Sequence, residues 1–342
     1  MEKRQHDLKH CDRLSILTSI FKKEKKLVFF WETLKEAFAE WNSSSSTRDS
    51  ASLAYYAIFS IPGLLIIIIW IAGSLFGEEA IRGEISNQIG TLMGSDVASS
   101  IEEMIASALI DRENIFMKVV GIFSLIYGAT TIFFQLQKSL NSLWDIEPAP
   151  KKAIIKFILD RANSLGMILV MGFLLMITMI LSSTISLFNN YITVLLGMET
   201  YILMELVNYV IGFFLVVLVF AFMFKVLPDV EISWKSVWVG AILTAVLFTL
   251  GKFLLSQYFG HFKPTSTFGK AGTIILIMMW INYSCMLVFF GAEFTKVYAE
   301  KKGYKITPSR HAKWSTQKLY EQEKKAALEN LKSLQENNNI VA

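Results

Sequence analysis

This chain has little of what soluble enzymes use for chemistry. It has two cysteines: Cys11 in a polar segment and Cys285 inside an apolar run. No disulfide framework is implied. Four histidines, at 6, 10, 261 and 311, are too dispersed for a multi-histidine metal site. The group His6, His10 and Cys11 reads as incidental in a polar terminus. No G-x-x-x-x-G-K-[ST] phosphate loop is present, which excludes that route to ATP hydrolysis. No G-x-S-x-G elbow and no pair of acids suited to two-metal cleavage stands out. Charge is also scarce. Charged residues make up 18% of the chain and hydrophobic ones 53%, too apolar a balance for a soluble protein of 342 residues.

What is abundant is long apolar sequence. Leu53–Phe76, Val119–Gln137, Leu206–Phe224, Ser236–Gly251 and Ala271–Ala292 carry no charge. Ala162–Met198 carries none either, although Ser182, Ser183, Thr184, Asn189 and Asn190 crowd its second half. A bilayer core needs roughly 20 apolar residues per helix. The expectation is an all-α polytopic membrane protein, a bundle of six transmembrane helices spanning about 52–77, 115–138, 160–187, 205–226, 236–258 and 272–297. A segment 1–50 precedes this 51–299 domain, and a polar tail 300–342 follows, expected to be solvated and partly disordered. No cleavable signal is recognisable, so the first span is expected to be an uncleaved anchor.

Basic residues alternate between the connections. Lys22, Lys23, Lys25, Lys26 and Arg48 precede the first span; Lys138, Lys151, Lys152, Lys156 and Arg161 bracket the second connection; Lys296, Lys301, Lys302, Lys305, Arg310 and Lys313 follow the last span. The connection 78–114 is acidic by contrast. The positive-inside rule then places both termini in the cytoplasm. Within 78–114, Ile81, Ile85, Ile89 and Leu92 recur at helical spacing, as do Val97, Ile101, Ile105 and Ala108. Two amphipathic outer helices are expected, capping the bundle or lying in the headgroup layer. Val28–Trp41 reads as a further interfacial helix, joined by the flexible serine run Ser43–Ser46 to the first span.

Polar groups inside the spans are the candidate site residues. Pro62 and Gly63 break the hydrogen-bond ladder of the first span, predict a kink and suggest a hinge. Ser52, Tyr55 and Tyr56 lie on the inner side of that kink. Gln137, Asn141, Arg161 and Glu293 fall at a similar depth and are expected to converge on an inward-facing substrate path, or else to be ordinary interhelical bonds and end-of-helix ion pairs. Lys252, Lys263 and Lys270 would form an outer mouth. Asn282 and Tyr283 read as interhelical hydrogen-bond glue. Gly73–Gly77 matches GxxxG, and Gly240, Thr244 and Gly251 lie along one side of the fifth span; both patterns let helices approach closely.

Five motifs carry a resemblance. They are Ala51-Ser52-Leu53-Ala54-Tyr55-Tyr56 leading to Pro62, Leu140-Asn141-Ser142-Leu143-Trp144, Leu227-Pro228-Asp229, Gly240-Ala241 and Gly291-Ala292-Glu293-Phe294. In order and spacing they resemble the YihY/BrkB family of bacterial inner-membrane proteins, some of which bear an old ribonuclease BN label. Lys270 departs from the family pattern, which usually has alanine there. The resemblance implies a multi-pass protein of the bacterial cytoplasmic membrane, linked to envelope integrity, with no established catalytic residues. The leading expectation is a non-ATP-driven transporter or lipid translocase, not an enzyme. Its partners would be membrane lipids, notably an anionic lipid or lipid-linked substrate, with no cofactor, metal or nucleic acid and with a homo-oligomer admitted. A scaffold for envelope enzymes is the alternative, and a ribonuclease a distant third.

Overall fold

The computed structural model describes residues 25, 27–107, 115–149, 154, 158–174, 177, 199–261 and 270–341. Its helices are α1 (27–43), α2 (Ser46–Phe76), α3 (Glu78–Met93), α4 (Ser95–Ser107), α5 (Ile115–Leu143), α6 (158–174), α7 (Glu199–Val226), α8 (Trp234–His261), α9 (Lys270–Lys301) and α10 (Thr316–Val341). Four stretches among the described residues are long and apolar enough to cross a membrane: Ser46–Ser74, Tyr209–Val226, Trp234–Leu255 and Gly272–Lys301. This is an all-α membrane protein. The polar half of the third expected span, from Ser182 to Asn190, lies outside the described residues.

α2 is the hub, packed against α5, α9 and the α3–α4 pair. It is one helix through Pro62. Gly63 is buried, and a Cβ there would stand 2.9 Å from the Leu125 carbonyl oxygen and 3.3 Å from the Ala129 nitrogen. Only glycine allows the two backbones this approach, so Gly63 is a contact joining α2 to α5. GxxxG at Gly73–Gly77 also acts within the chain. Gly77, at φ 90°, turns α2 into α3 while its N–H bonds the Gly73 carbonyl at 2.8 Å.

The two expected short helices are present, separated by Gly94 at φ 96°. They do more than cap an outer mouth. Ile81, Ile85, Val97, Ile101 and Ile105 are buried in the same core as α2. Ile101 and Met104 meet Ile58 and Ile61 of α2 and Ile274 and Ile277 of α9 around one small apolar void. Ile58 and Ile61 lie in the middle of α2, so α4 reaches the centre of the bundle. Burying an isoleucine face between helices removes more apolar surface from water than resting it among headgroups.

α8 and α9 are fastened by a reciprocal pair. Thr244 lies four residues after Gly240, and Thr295 four after Gly291; each threonine hydroxyl bonds its own glycine carbonyl, at 2.8 and 2.7 Å. Each threonine also fills the space beside the other helix's glycine, where a Cβ would collide with it. Further along, Gly251 accommodates the Tyr283 phenol in the same way. The Asn282 Oδ1 is buried without a hydrogen-bond partner among the described residues.

α1 docks on α9. Ala37, Phe294 and Val297 form a small core, and Phe30–Phe294 and Trp41–Phe290 meet edge to face. Leu27, Val28, Trp31 and Phe38 of α1 remain exposed, an apolar face suited to a membrane surface. The serine run is an ordered turn and not a slack link. Ser44 N–H bonds the Glu40 carbonyl, Ser44 and Ser46 hydroxyls pair at 2.6 Å, and Ser45 Oγ donates to Asp49 at 2.8 Å. Small hydroxyls satisfy the backbone groups that two abutting helix ends leave open.

The segment after α9 begins as a strap and not as a free tail. β1 (Ile146–Pro148) pairs antiparallel with β4 (Ala312–Trp314), and β2 (Val230–Glu231) with β3 (Thr307–Pro308). Tyr304, Ile306, Ala312 and Trp314 pack on the main core. Beyond the strap, Leu319, Tyr320, Leu328 and Leu331 of α10 are exposed.

Candidate functional site

The loops gather at the end of the bundle that the charge pattern assigns to the cytoplasm. α5 is anchored there by Trp144, whose buried indole N–H donates to the Ala292 carbonyl at 3.2 Å. Asp145 follows at φ 57°, the left-handed region that aspartate tolerates better than most residues. The Ser315 N–H bonds the Asp145 carbonyl at 2.7 Å, tying the turn to the strap.

Asn141, one turn earlier, makes a two-way bond. Its Nδ2 donates to Asp229 Oδ2 at 2.9 Å, and its Oδ1 accepts the Asp229 backbone N–H at 2.7 Å. The Asp229 carbonyl in turn accepts the Ser309 N–H at 3.0 Å. Four of the five sequence motifs therefore meet at this end of the molecule: α5's closing turn, the Leu227–Asp229 turn, and the Gly–Thr contact that joins α8 to α9.

A cavity of about 820 Å³ opens among α5, α6, the Asp229 turn, β1 and the start of α10. Phe134, Ile146 and Pro148 supply apolar wall. Gln137 and Asn141 line it together with Ser142, Ser315 and Gln317. Among the described residues its charged lining is Asp145, Glu147, Asp160 and Asp229 with Lys138. Gln137 Nε2 reaches Asp160 Oδ1 at 3.4 Å, while Gln137 Oε1 is buried with no hydrogen-bond partner.

Beside the cavity sits a buried ion cluster. Lys296 Nζ lies 3.2 Å from Glu293, 3.3 Å from Asp145 and 3.6 Å from Glu40, and donates to the Leu143 carbonyl at 3.1 Å. Lys318 adds contacts to Asp145 and Glu300 at 3.6 and 3.7 Å. Burial alone would raise the Glu40 carboxyl. A hydrogen bond from Glu293 and the charges of Lys296 and Lys318 outweigh it and hold Glu40 below its ordinary value.

Of the inner-side residues expected to converge, only Gln137 and Asn141 line the cavity. Glu293 belongs to the Lys296 cluster. Arg161 packs against α5, its guanidinium 4.5 Å from the Tyr127 ring centre and 5.1 Å from that of Phe134, with Nη1 donating to Thr130 at 2.8 Å. Aromatic faces and a hydroxyl are favourable surroundings for a planar cation. Tyr55 and Tyr56 are exposed on α2, edge to face with one another, and Ser52 donates to the Arg48 carbonyl at 3.1 Å. At the opposite end, Lys252 is half-buried on α8, Lys263 lies outside the described residues, and Lys270 opens α9. Among the described residues no group of three or more His, Cys, Asp or Glu side chains could hold a metal ion.

Sequence reasoning missed the cavity's acids. Asp229 stood in a recognised motif, but nothing local marked Asp145 or Glu147 as lining residues, since strand pairing with 312–314 places them.

Comparison with known proteins agrees with this architecture. The family model described as virulence factor BrkB matches residues 37–315. The UPF0761 membrane protein NT05HA_1801 of Aggregatibacter aphrophilus is 25% identical over 283 residues, covering 81% of this chain and 95% of its own. The UPF0761 membrane protein MS0032 of Mannheimia succiniciproducens is 22% identical over 274 residues, covering 78% and 88%. The putative ribonuclease-like protein YfkH of Bacillus subtilis is 22% identical over 273 residues, covering 79% and 96%. No solved structure matches. With more than half of its length matched and its signature motifs joined at one end of a helical membrane bundle, the chain belongs to the YihY/BrkB family.

Proposed function

We propose that this protein is a multi-pass transporter or lipid translocase of the bacterial cytoplasmic membrane, with six spans and both termini inside, working without nucleotide hydrolysis and contributing to envelope integrity. The observation that carries this reading is the cavity of about 820 Å³, large enough for a small solute or a lipid headgroup, with Gln137 and Asn141 in its wall. The contact at Gly63 supports a moving part. Because α2 and α5 are locked backbone to backbone there, the two would rock together against the rest, with Pro62 supplying the weak point in α2.

Reconstitution tests the reading. Proteoliposomes should move a labelled lipid or solute faster than empty vesicles, and Gln137→Leu should return the rate to the empty-vesicle level. Equal rates in filled and empty vesicles across anionic, zwitterionic and cationic probes would end it. Labelling of single cysteines introduced at Ser315 and Glu84, from either side of the membrane, tests the topology.

A second reading rests on α10, whose exposed Leu319, Tyr320, Leu328 and Leu331 offer a surface to another protein. As a scaffold, the chain would lose its function on deletion of 316–341 and keep it in Gln137→Leu.

A further inference from the structure

We propose that Glu40 and Glu293 form a proton-binding carboxyl pair that sets the charge of the cavity wall. The two acids come from different elements, Glu40 from the last turn of α1 and Glu293 from α9. Both approach the same ammonium, Lys296 Nζ, at 3.6 and 3.2 Å. They also lie within hydrogen-bond reach of one another, Glu293 as the donor. Ionised carboxylates only accept hydrogen bonds and repel each other, so such a contact forms when one of the two keeps a proton. Lys296 does not take the place of that proton. An ammonium has three N–H groups, and this one is shared among Glu293, Asp145, Glu40 and the Leu143 carbonyl.

The two carboxyls differ in their access to water. The Glu293 side chain is 2% exposed and that of Glu40 39%. A proton therefore enters and leaves by way of Glu40 and rests on the buried Glu293 oxygen, with its O–H aimed at the Glu40 carboxylate. Among the described residues, the other charged groups around the pair are Asp145 after α5, Lys296 and Glu300 of α9, and Lys318 of α10. Lys301 is taken by Glu36 of α1 at 2.7 Å. Asp145 is the link to the cavity, since it lines that space and lies 3.3 Å from Lys296. With the proton in place the pair carries one negative charge, and Lys296 is shared with Asp145. Loss of the proton to water leaves two adjacent anions, which draw Lys296 toward themselves and away from Asp145. The proton site stands on this geometry; its use in transport rests on the transporter reading above.

The test is infrared difference spectroscopy of the full-length protein in phosphatidylcholine nanodiscs at neutral pH, wild type minus variant. The carbonyl band of a protonated carboxyl group is expected in wild type, lost in Glu293→Gln and lost or shifted in Glu40→Gln. Glutamine matches protonated glutamate in shape and keeps an N–H to donate to Glu40, so Glu293→Gln carries little risk to folding. Wild type without the band, or a band unchanged in either variant, would overturn the inference. The link to the cavity is read from a polarity-sensitive fluorophore on a single cysteine at Ser142, an exposed residue of the cavity wall. Its emission should shift when the buffer is stepped from mildly acidic to alkaline, and the shift should be lost with Glu293→Gln. Equal shifts in the two backgrounds would overturn the coupling to the wall. The band together with vesicles that move nothing would sink the transporter reading and leave this site standing; transport with no such band would do the reverse.

Discussion

Thr295 occupies the space that any side chain on Gly240 would need, and both are fully buried in the α8–α9 seam. A Cβ at Gly240 would also come within 3.0 Å of Thr295 Cβ and 3.3 Å of the Gly291 carbonyl. The threonine cannot swing aside, because its hydroxyl is bonded to the Gly291 carbonyl. Gly240→Ala should therefore destabilise the protein by about 1–3 kcal/mol, the usual cost of overpacking. Thermal unfolding in detergent measures it. The double variant Gly240→Ala, Thr295→Ala should recover part of the loss, and strictly additive effects would show that the two do not share this space.

Lys296 is the cation of a buried cluster, with Glu293 only 1% exposed beside it. Lys296→Met leaves the cluster of Glu40, Asp145 and Glu293 without its shared counter-ion. A loss of about 3–5 kcal/mol is expected, since removing one member of a buried pair strands the other. Pairing the change with Glu293→Gln should restore part of the stability, since Glu40 and Asp145 still lack the cation. If Lys296→Met melts like wild type, the cluster contributes no stability.

Glu40 provides a pH dependence. Its carboxyl is held below the ordinary value of 4.5, so its contribution is present above that pH. The contribution should disappear as the pH falls through the lower folded value. The melting temperature of wild type should thus exceed that of Glu40→Gln near neutrality, and the gap should close between about pH 5 and pH 3. The side chain is 39% exposed, so added salt should narrow the gap as well. A gap that widened on acidification would contradict the sign.

Asn141 holds the Asp229 turn, and Asp229 holds the strap through Ser309. Asn141→Ala removes two hydrogen bonds, worth about 0.5–1.5 kcal/mol each. The strap should then open more often, exposing Arg310 and Lys313 to trypsin. Limited proteolysis should cut there several-fold faster than in wild type, whereas Trp31→Ala, on the exposed face of α1, should not change the rate.

Much of the fold was legible because lipid is a demanding solvent. Runs such as Leu53–Phe76 and Ala271–Ala292 can be stable in only a few ways, and a spanning helix is the simplest. The heptad-like spacing of Ile81, Ile85, Val97 and Ile101 likewise specified two amphipathic helices. What that spacing left open was the surface they cover, since a membrane interface and a protein groove are both apolar. The α4 helix settled into the groove between α2 and α9.

The candidate site was legible in part. Gln137 and Asn141 were found by their depth along α5, and both line the cavity. Arg161 lies at the same depth but faces Tyr127, because depth along a helix does not specify azimuth. Glu293 was read as a site residue when its neighbour Lys296, three residues on, claims it.

The amino-acid sequence by itself determined that the chain lives in a membrane, that its core is helical and which family it resembles, because hydrocarbon burial and motif spacing are local properties of the chain. Only the tertiary structure decided that residues 304–315 return as a strap, that Gly240 and Gly291 meet each other's threonines, and that four carboxylates share one cavity. Those features depend on contacts between residues far apart in the chain, such as Asn141 with Asp229 and Ile146 with Trp314, and no local pattern encodes such a distance.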